Sequence, residues 1–348
     1  MKKQYYKTKD FDYKIPDNLI AQKPAGKREW SQLFVPYQNM NSYPFSKIIN
    51  YFDNNDVIII NETKVMHSRL LLKTLKSSKE HEVLFLRDLG DNLWEVMIRN
   101  SKRLKVNDEL VLDKDLSITI IEKKGYSNTI LLKSNRYIND IMKEKGEVPL
   151  PPYIKRENNK SLSIDKVRYQ TVYSKSLGSA AAPTAGLHFT EEILKALQEK
   201  GVTIVSVILH VGIGTFLPVS VDNINEHSMH AEWVQLNNKN ALILNQAKQD
   251  GKRLTAIGTT SLRVLESCFK NNRFNSYEGF TDIFITPPQK VLSVDRLITN
   301  FHQPKSTLLM LVCAFAGYEF VMDAYKYAIK KKLRFFSYGD STIWENNS

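Results

Sequence analysis

Histidines set among glycine and alanine are the chemically loaded feature of this chain. One such stretch is Gly178-Ser-Ala-Ala-Ala-Pro-Thr-Ala-Gly-Leu-His-Phe-Thr190, and Leu209-His-Val-Gly-Ile-Gly-Thr-Phe216 follows it. Small residues let backbone approach a ligand, and imidazole titrates near neutral pH. Proton transfer is the chemistry this combination suits. A lone Gly-x-Gly is common in tight turns, so neither stretch decides anything alone; together they place His188 and His210 on two loops expected to converge. His227-Ser-Met-His-Ala-Glu232 adds two imidazoles and a carboxylate. It is neither His-Glu-x-x-His nor accompanied by cysteines, so acid–base or ribose-hydroxyl contacts are a stronger reading than zinc.

Loop, helix, strand and loop in that order must position these groups. A hydroxyl cap at Thr190, acids in the first turn, apolar Ile193, Leu194 and Leu197 and a closing Gly201 predict a helix over 190–201. The β-branched run 202–211 predicts a buried strand that delivers His210 at its carboxyl end, where ligands of α/β sheets collect. Residues 56–61 read as a strand covered on both faces, and 253–258 as a strand feeding a helix over 259–267. Three hydroxyls surround that helix start, where free N–H groups suit a phosphate or carboxylate. Strands are also expected at 281–286, 296–301 and 335–340, a Ser306-capped apolar helix to Gly317, a basic helix over 325–334, and an extended arm over 11–20. The loop 21–28 is basic and able to seat a phosphate.

Between about residue 70 and residue 133 the texture changes to short strands separated by turns, the spacing of a small barrel or sandwich. The expected architecture is an α/β main domain, residues 1–69 and 146–348, with an inserted small all-β, barrel-like domain at 70–145. A proline-rich link, Pro149-Leu-Pro-Pro-Tyr-Ile154, leads out of it. With 348 residues, 42% hydrophobic and 25% charged, the chain is long enough for a sizeable core and is not disordered. A net charge of +12 favours a polyanionic partner such as nucleic acid, with a lysine-rich proteome the equal alternative. Only Cys268 and Cys313 are present, which points to a reducing compartment. No signal segment or span is legible, so a cytoplasmic protein without membrane association is expected.

Six ordered motifs carry a resemblance. Ala182-Pro-Thr-Ala-Gly-Leu-His-Phe189, Leu209-His-Val-Gly-x-Gly-Thr-Phe216, His227-x-Met-His-x-Glu232, Gly258-Thr-Thr-Ser-Leu-Arg263, Thr299-Asn-Phe-His302 and Arg334-Phe-Phe-Ser-Tyr-Gly-Asp340 resemble the S-adenosylmethionine:tRNA ribosyltransferase-isomerase family of queuosine biosynthesis. The resemblance runs from Phe11 to Asp340. It implies an α/β domain interrupted by a β-barrel. The implied activity moves and isomerises the ribosyl group of S-adenosylmethionine onto 7-aminomethyl-7-deazaguanine at a tRNA wobble position, releasing adenine and methionine and leaving epoxyqueuosine. S-adenosylmethionine is then a consumed substrate, with no metal or other cofactor, and the partner is a tRNA anticodon stem-loop acted on by a monomer.

That chemistry needs a base beside the sulfonium and an acid for departing adenine. His188, His210, His230 and His302 form the expected pool. Asp340 or Glu232 would orient an imidazole or hold a ribose hydroxyl, and Tyr169 or Tyr338 would cover the sulfonium or stack a base. Thr259, Thr260 and Arg263 suit the methionyl carboxylate or a phosphate. Further substrate contacts are expected from Arg168, Gln170 and Thr171, from Pro183, Thr184, Ala185 and Gly186, from Gly212, Gly214 and Thr215, and from His227, Thr299 and Asn300. Arg28, Lys64, Arg69, Lys330 and Arg334 would face tRNA. The chain departs from the family pattern at Gln32 and Lys64, each replacing arginine, at Met66-His-Ser68, and at Pro288. Lysine keeps the charge but loses the guanidinium fork. Two rivals are a paralogue acting on a small molecule and a non-catalytic RNA-binding relative.

Overall fold

The computed structural model describes residues 6–75, 77, 79–125, 127–156, 163–212, 214 and 219–347. The first strands are β1 (Gln32–Val35), β2 (Asn41–Pro44), β3 (Asp56–Asn61) and β4 (Thr63–Val65). Six strands follow in sequence, β5 (Arg69–Thr74), β6 (Glu80–Gly90), β7 (Leu93–Ile98), β8 (Glu109–Asp113), β9 (Leu116–Lys124) and β10 (Ser127–Ser134), then helices α1 (Ile138–Lys145) and α2 (Ser163–Arg168). Next come β11 (Ser176–Ser179), α3 (Glu191–Glu199), β12 (Thr203–Leu209), β13 (Glu232–Leu236), α4 (Asn238–Gln249), β14 (Arg253–Ile257) and α5 (Gly258–Cys268). A small hairpin, β15 (Phe269–Lys270) and β16 (Arg273–Phe274), precedes β17 (Tyr277–Thr281), β18 (Arg296–Asn300), α6 (Thr307–Ala316), α7 (Tyr318–Lys330) and β19 (Ser341–Glu345).

A nine-stranded mixed sheet runs in the order β17-β13-β12-β3-β14-β18-β19-β1-β2, with β12, β3, β14 and β18 mutually parallel at its centre. Alternation along β3 explains the two-sided burial: Val57 and Ile59 enter one core with α4 to α7, while Ile58 and Ile60 enter another with Ile193 and Leu197 of α3. Truncating one such core side chain to alanine costs roughly 2–5 kcal/mol. Asn61 ends β3 by holding both backbone groups of Leu209, its Nδ2 donating at 3.0 Å and its Oδ1 accepting at 3.1 Å. The carboxyl ends of β3 and β12 are thereby locked side by side.

The six strands β5 to β10 close into an antiparallel barrel, order β10-β7-β6-β5-β8-β9. Its interior is the alternate set Leu70 and Leu72, Trp94, Val96 and Ile98, and Leu116, Ile118 and Ile120, joined by Ile141 and Met142 of α1. Strands before and after it in sequence, β3 and β12, are neighbours in the large sheet.

Several expected elements differ. The 281–286 strand is instead β17, ending at Thr281; this edge strand exposes Tyr277, Glu278 and Phe280 and so lacks an apolar signature. Residues 335–340 form a turn rather than a strand, because the Asp340 carboxylate accepts from the backbone N–H groups of Arg334 and Gln32, at 2.7 and 2.9 Å. The basic helix begins at Tyr318, not at residue 325. The 11–20 arm starts at the end of one short 3-10 turn, Thr8–Phe11, and contains another, Asp17–Leu19, so only its middle is extended. Among the described residues no single helix is long and apolar enough to cross a membrane.

Candidate functional site

Two cavities open at the carboxyl ends of the parallel strands, and Val211 borders both. The larger, about 470 Å³, includes His210, His230, Glu232, Gly212 and Gly214 in its lining. His210 follows β12, and its Nδ1 lies 2.8 Å from Thr63 Oγ1 while its ring stacks on Trp233 at 5.0 Å. Burial lowers its pKa, so the neutral, proton-accepting form prevails at neutral pH. Gly178 permits this placement: a Cβ there would fall 2.7 Å from His210 Nε2, and its φ of +153° is left-handed-side backbone. Gly214 serves His230 in the same way, a Cβ there lying 2.2 Å from its Cδ2. These glycines make room for imidazoles as well as for a ligand.

Glu232 is buried, taking the Gly212 N–H at 2.7 Å on Oε1 and Arg263 Nη1 on Oε2. A buried carboxylate is tolerable only with such a partner. Arg263, on α5, reaches the pair from behind the cavity and keeps Nε and Nη2 without a hydrogen-bond partner among the described residues. His227 sits off the cavity edge-on to Phe284; burial and His230 lower its pKa.

The smaller cavity, about 50 Å³, is walled by Pro183, Thr184 and Ala185 on one side of the sequence and by Thr259, Thr260, Thr299, Asn300 and His302 on the other. It ends on the start of α5, whose N-cap Ile257 supplies no side-chain cap. The first-turn N–H groups therefore lack the usual side-chain acceptor, and the Thr260 hydroxyl and Asn300 Oδ1 are buried without partners among the described residues. Such a terminus suits a carboxylate or phosphate. His302 is anchored by Thr299 Oγ1 at 3.0 Å from Nε2 and by Tyr325 on its backbone N–H, and burial pulls its pKa down to about 3.

His188 joins neither lining. Asn300 Nδ2 is 3.1 Å from its Nε2 and Ser31 Oγ 2.7 Å from its Nδ1. An amide NH2 only donates, so Nε2 accepts and Nδ1–H donates to Ser31, which passes its own proton to Arg28 O at 3.1 Å. Burial, with Arg334, Arg28 and Arg168 nearby, lowers its pKa to about 3. The expected convergence of four imidazoles is thus corrected: two share the large cavity, His302 lines the small one, and His188 is fully engaged behind its wall. Asp340 is likewise held by backbone amides, and burial raises its pKa.

Other expected contacts are engaged by the scaffold. Arg168 donates to the carbonyls of Ala25 and Gly26, and Arg28 to those of Leu187, Val167 and Gln170, so both guanidiniums fix the basic loop to the protein. Gln170 clamps Val65 through both amide atoms, and Gly186 packs against Tyr173. Tyr338 donates to Asp165 and meets Tyr169 edge-on at 5.9 Å; neither ring, nor Thr171, is in the lining of these two cavities. Arg69 pairs with Glu82 at 3.8 Å and Arg334 donates to Lys23 O, whereas Lys64 and Lys330 are exposed. Thr215 lies outside the described residues. Sequence reasoning missed the barrel side of the large cavity, Arg87, Asp88, Trp94 and Glu95, and also Phe280. Strand alternation separates the barrel's inside, Trp94 included, from its outside but carries no sign of which residues of either set reach the cavity.

Comparison with known proteins agrees with this architecture. The family described as Queuosine biosynthesis protein matches residues 8–343. S-adenosylmethionine:tRNA ribosyltransferase-isomerase of Thermotoga petrophila is 43% identical over 97% of this chain and 99% of its own length. The protein of that name from Staphylococcus haemolyticus is 44% identical over 96% and 98%. The crystal structure of S-adenosylmethionine tRNA ribosyltransferase from Thermotoga maritima superposes with a TM-score of 0.54 at 32% identity, covering 96% of this chain and 99% of that one. The chain belongs to the S-adenosylmethionine:tRNA ribosyltransferase-isomerase family of queuosine biosynthesis proteins.

Proposed function

We propose that this chain transfers and isomerises the ribosyl group of S-adenosylmethionine onto 7-aminomethyl-7-deazaguanine at the wobble position of a tRNA anticodon stem-loop, giving epoxyqueuosine with release of adenine and methionine. The observation that carries the reading is that one side chain, Val211, borders both cavities. One elongated ligand can then extend a carboxylate to the start of α5 and its sugar toward His210 and His230. Thr259 and Thr260 hydroxyls supplement the helix N–H groups for the methionyl carboxylate. The sulfonium makes its neighbouring C–H acidic, and the desolvated, neutral His210 is the candidate base. His230, close enough to His227 to depress that ring's pKa, is the candidate acid for departing adenine. As the glycosidic bond breaks, its electron pair goes to adenine, and the pair left by the proton His210 removes closes a carbon–carbon bond on the carbon so freed. The ring oxygen leaves its other carbon with its pair and closes the epoxide on the carbon that releases sulfur, whose pair restores the neutral thioether of methionine. The amine of the modified base gives its lone pair to the carbon the ring oxygen left and loses a proton.

S-adenosylmethionine is consumed in this scheme, and no step calls for a further cofactor. The barrel, read as an insert at 70–145 in an α/β unit of 1–69 and 146–348, supplies the RNA-facing wall. Mass spectrometry after mixing the protein with S-adenosylmethionine and a precursor-bearing anticodon stem-loop tests the reading. Adenine and methionine should appear in equal amounts with a heavier stem-loop; no adenine from a loop that demonstrably binds would refute it.

A further inference from the structure

The large cavity has a wall for which the motif histidines do not account. Strands β6 and β7 bring Arg87, Asp88, Trp94 and Glu95 to it, and the edge strand β17 brings Phe280. The Arg87 guanidinium lies 5.1 Å from the centre of the Phe280 ring and 3.2 Å from Glu95, so one side chain ties the barrel to the sheet edge at the cavity. Phe280 is 47% exposed, a large apolar ring kept at the rim instead of in a core. Pairing between β6 and β7 slips between Phe85 and Arg87 and again between Asp88 and Gly90. Such slips re-aim side chains beside sites, and here they interrupt the alternation that carries Val83 and Phe85 into the barrel interior.

A cavity of about 470 Å³ is of the size that encloses a nucleoside-scale ligand. Aromatic faces favour a flat ring, and carboxylates beside them favour a cation on that ring. Glu232 already has Arg263 for its charge and Glu95 shares Arg87, so the barrel wall of one guanidinium and two carboxylates keeps one negative charge in excess to face a cation. A planar heteroaromatic ring bearing a primary ammonium meets both demands; plain guanine meets only the first. We infer that Arg87, Asp88, Glu95 and Phe280 are the specificity wall for the modified wobble base, the Phe280–Arg87 pair covering its ring and Asp88 and Glu95 receiving its aminomethyl ammonium. This rests on the ribosyl-transfer reading.

The test uses two synthetic stem-loops that differ only at the wobble base, one carrying 7-aminomethyl-7-deazaguanine and the other guanine. The wild-type chain should bind the aminomethyl loop roughly tenfold more tightly, and the double variant D88N/E95Q should lose most of that preference. Phe280→Ala should weaken both loops by roughly tenfold, with KM for S-adenosylmethionine changed less than about twofold. All three positions face the cavity instead of a core, so the variants should melt with the wild type. Unchanged preference in D88N/E95Q, or a loss of S-adenosylmethionine affinity equal to the loss for RNA, would overturn the assignment. Failure of the wild type to release adenine defeats the ribosyl-transfer reading instead, while the two-loop binding preference still judges the wall.

Discussion

Lowering the pH from 7 to 5 should cost this fold about 4 kcal/mol through His188 and His302 alone. Burial holds both imidazoles near a pKa of about 3, against ~6.5 in the unfolded chain. Because the folded value is the lower one, the unfolded chain takes up protons first. Stability is therefore full above ~6.5, falls as pH drops below it, and stops falling near pH 3, where the folded rings also protonate. At ~1.4 kcal/mol per pH unit, 1.5 units below 6.5 removes about 2 kcal/mol per ring. Asp340 works in the opposite direction, since burial raises its pKa and favours the folded state toward acid. A difference measurement removes such background. His188→Gln keeps an acceptor for Asn300 and a donor for Ser31 but cannot titrate, so its loss of unfolding free energy between pH 7 and pH 5, read from urea melts, should be about 2 kcal/mol smaller than wild type. A variant that keeps the wild-type pH slope to within about 0.5 kcal/mol would refute the claim that this ring is buried and neutral.

The same His188→Gln protein should keep turnover per folded molecule within about tenfold of wild type, since the ring lines neither cavity; a loss of ~10³-fold would return it to the acid–base pool. His210→Ala should slow adenine release by ~10²-fold or more while stem-loop affinity, followed by gel shift, holds. Glu232→Gln, which strands Arg263 in a buried site, should cost about 3–5 kcal/mol in urea melts, and the double change Glu232→Met with Arg263→Met should recover much of it. Asp340→Asn should lower stability by about 1–3 kcal/mol, because an amide presents one acceptor where two backbone N–H groups need one each.

What was legible in the chain was local. Residues 56–61 read as a central strand because every position is apolar or terminal and both faces are covered. Thr190 and Ser306 read as helix caps because the acceptor and its amide lie three residues apart, and both bonds are present at 3.2 Å. The direction of a side chain was not legible where its partners are distant. His188 is fixed by Ser31, 157 positions away, and by Asn300, 112 positions away; Asp340 is fixed by Gln32, 308 positions away. Nothing in their own neighbourhoods distinguishes them from His210, whose ring meets the large cavity.

The motifs consequently mix two kinds of residue whose sequence signatures are the same. Around the small cavity, Thr260 and Asn300 keep polar atoms without partners among the described residues, the condition of groups awaiting a ligand, while His188 on the far side of Asn300 has both ring nitrogens engaged. Asn300 connects the two: its amide nitrogen holds His188 and Phe336 O, which leaves its oxygen as the group able to meet a ligand. His188 thus orients Asn300 at the small cavity, and the imidazoles that line the large one are those whose placement glycine permits, His210 beside Gly178 and His230 beside Gly214.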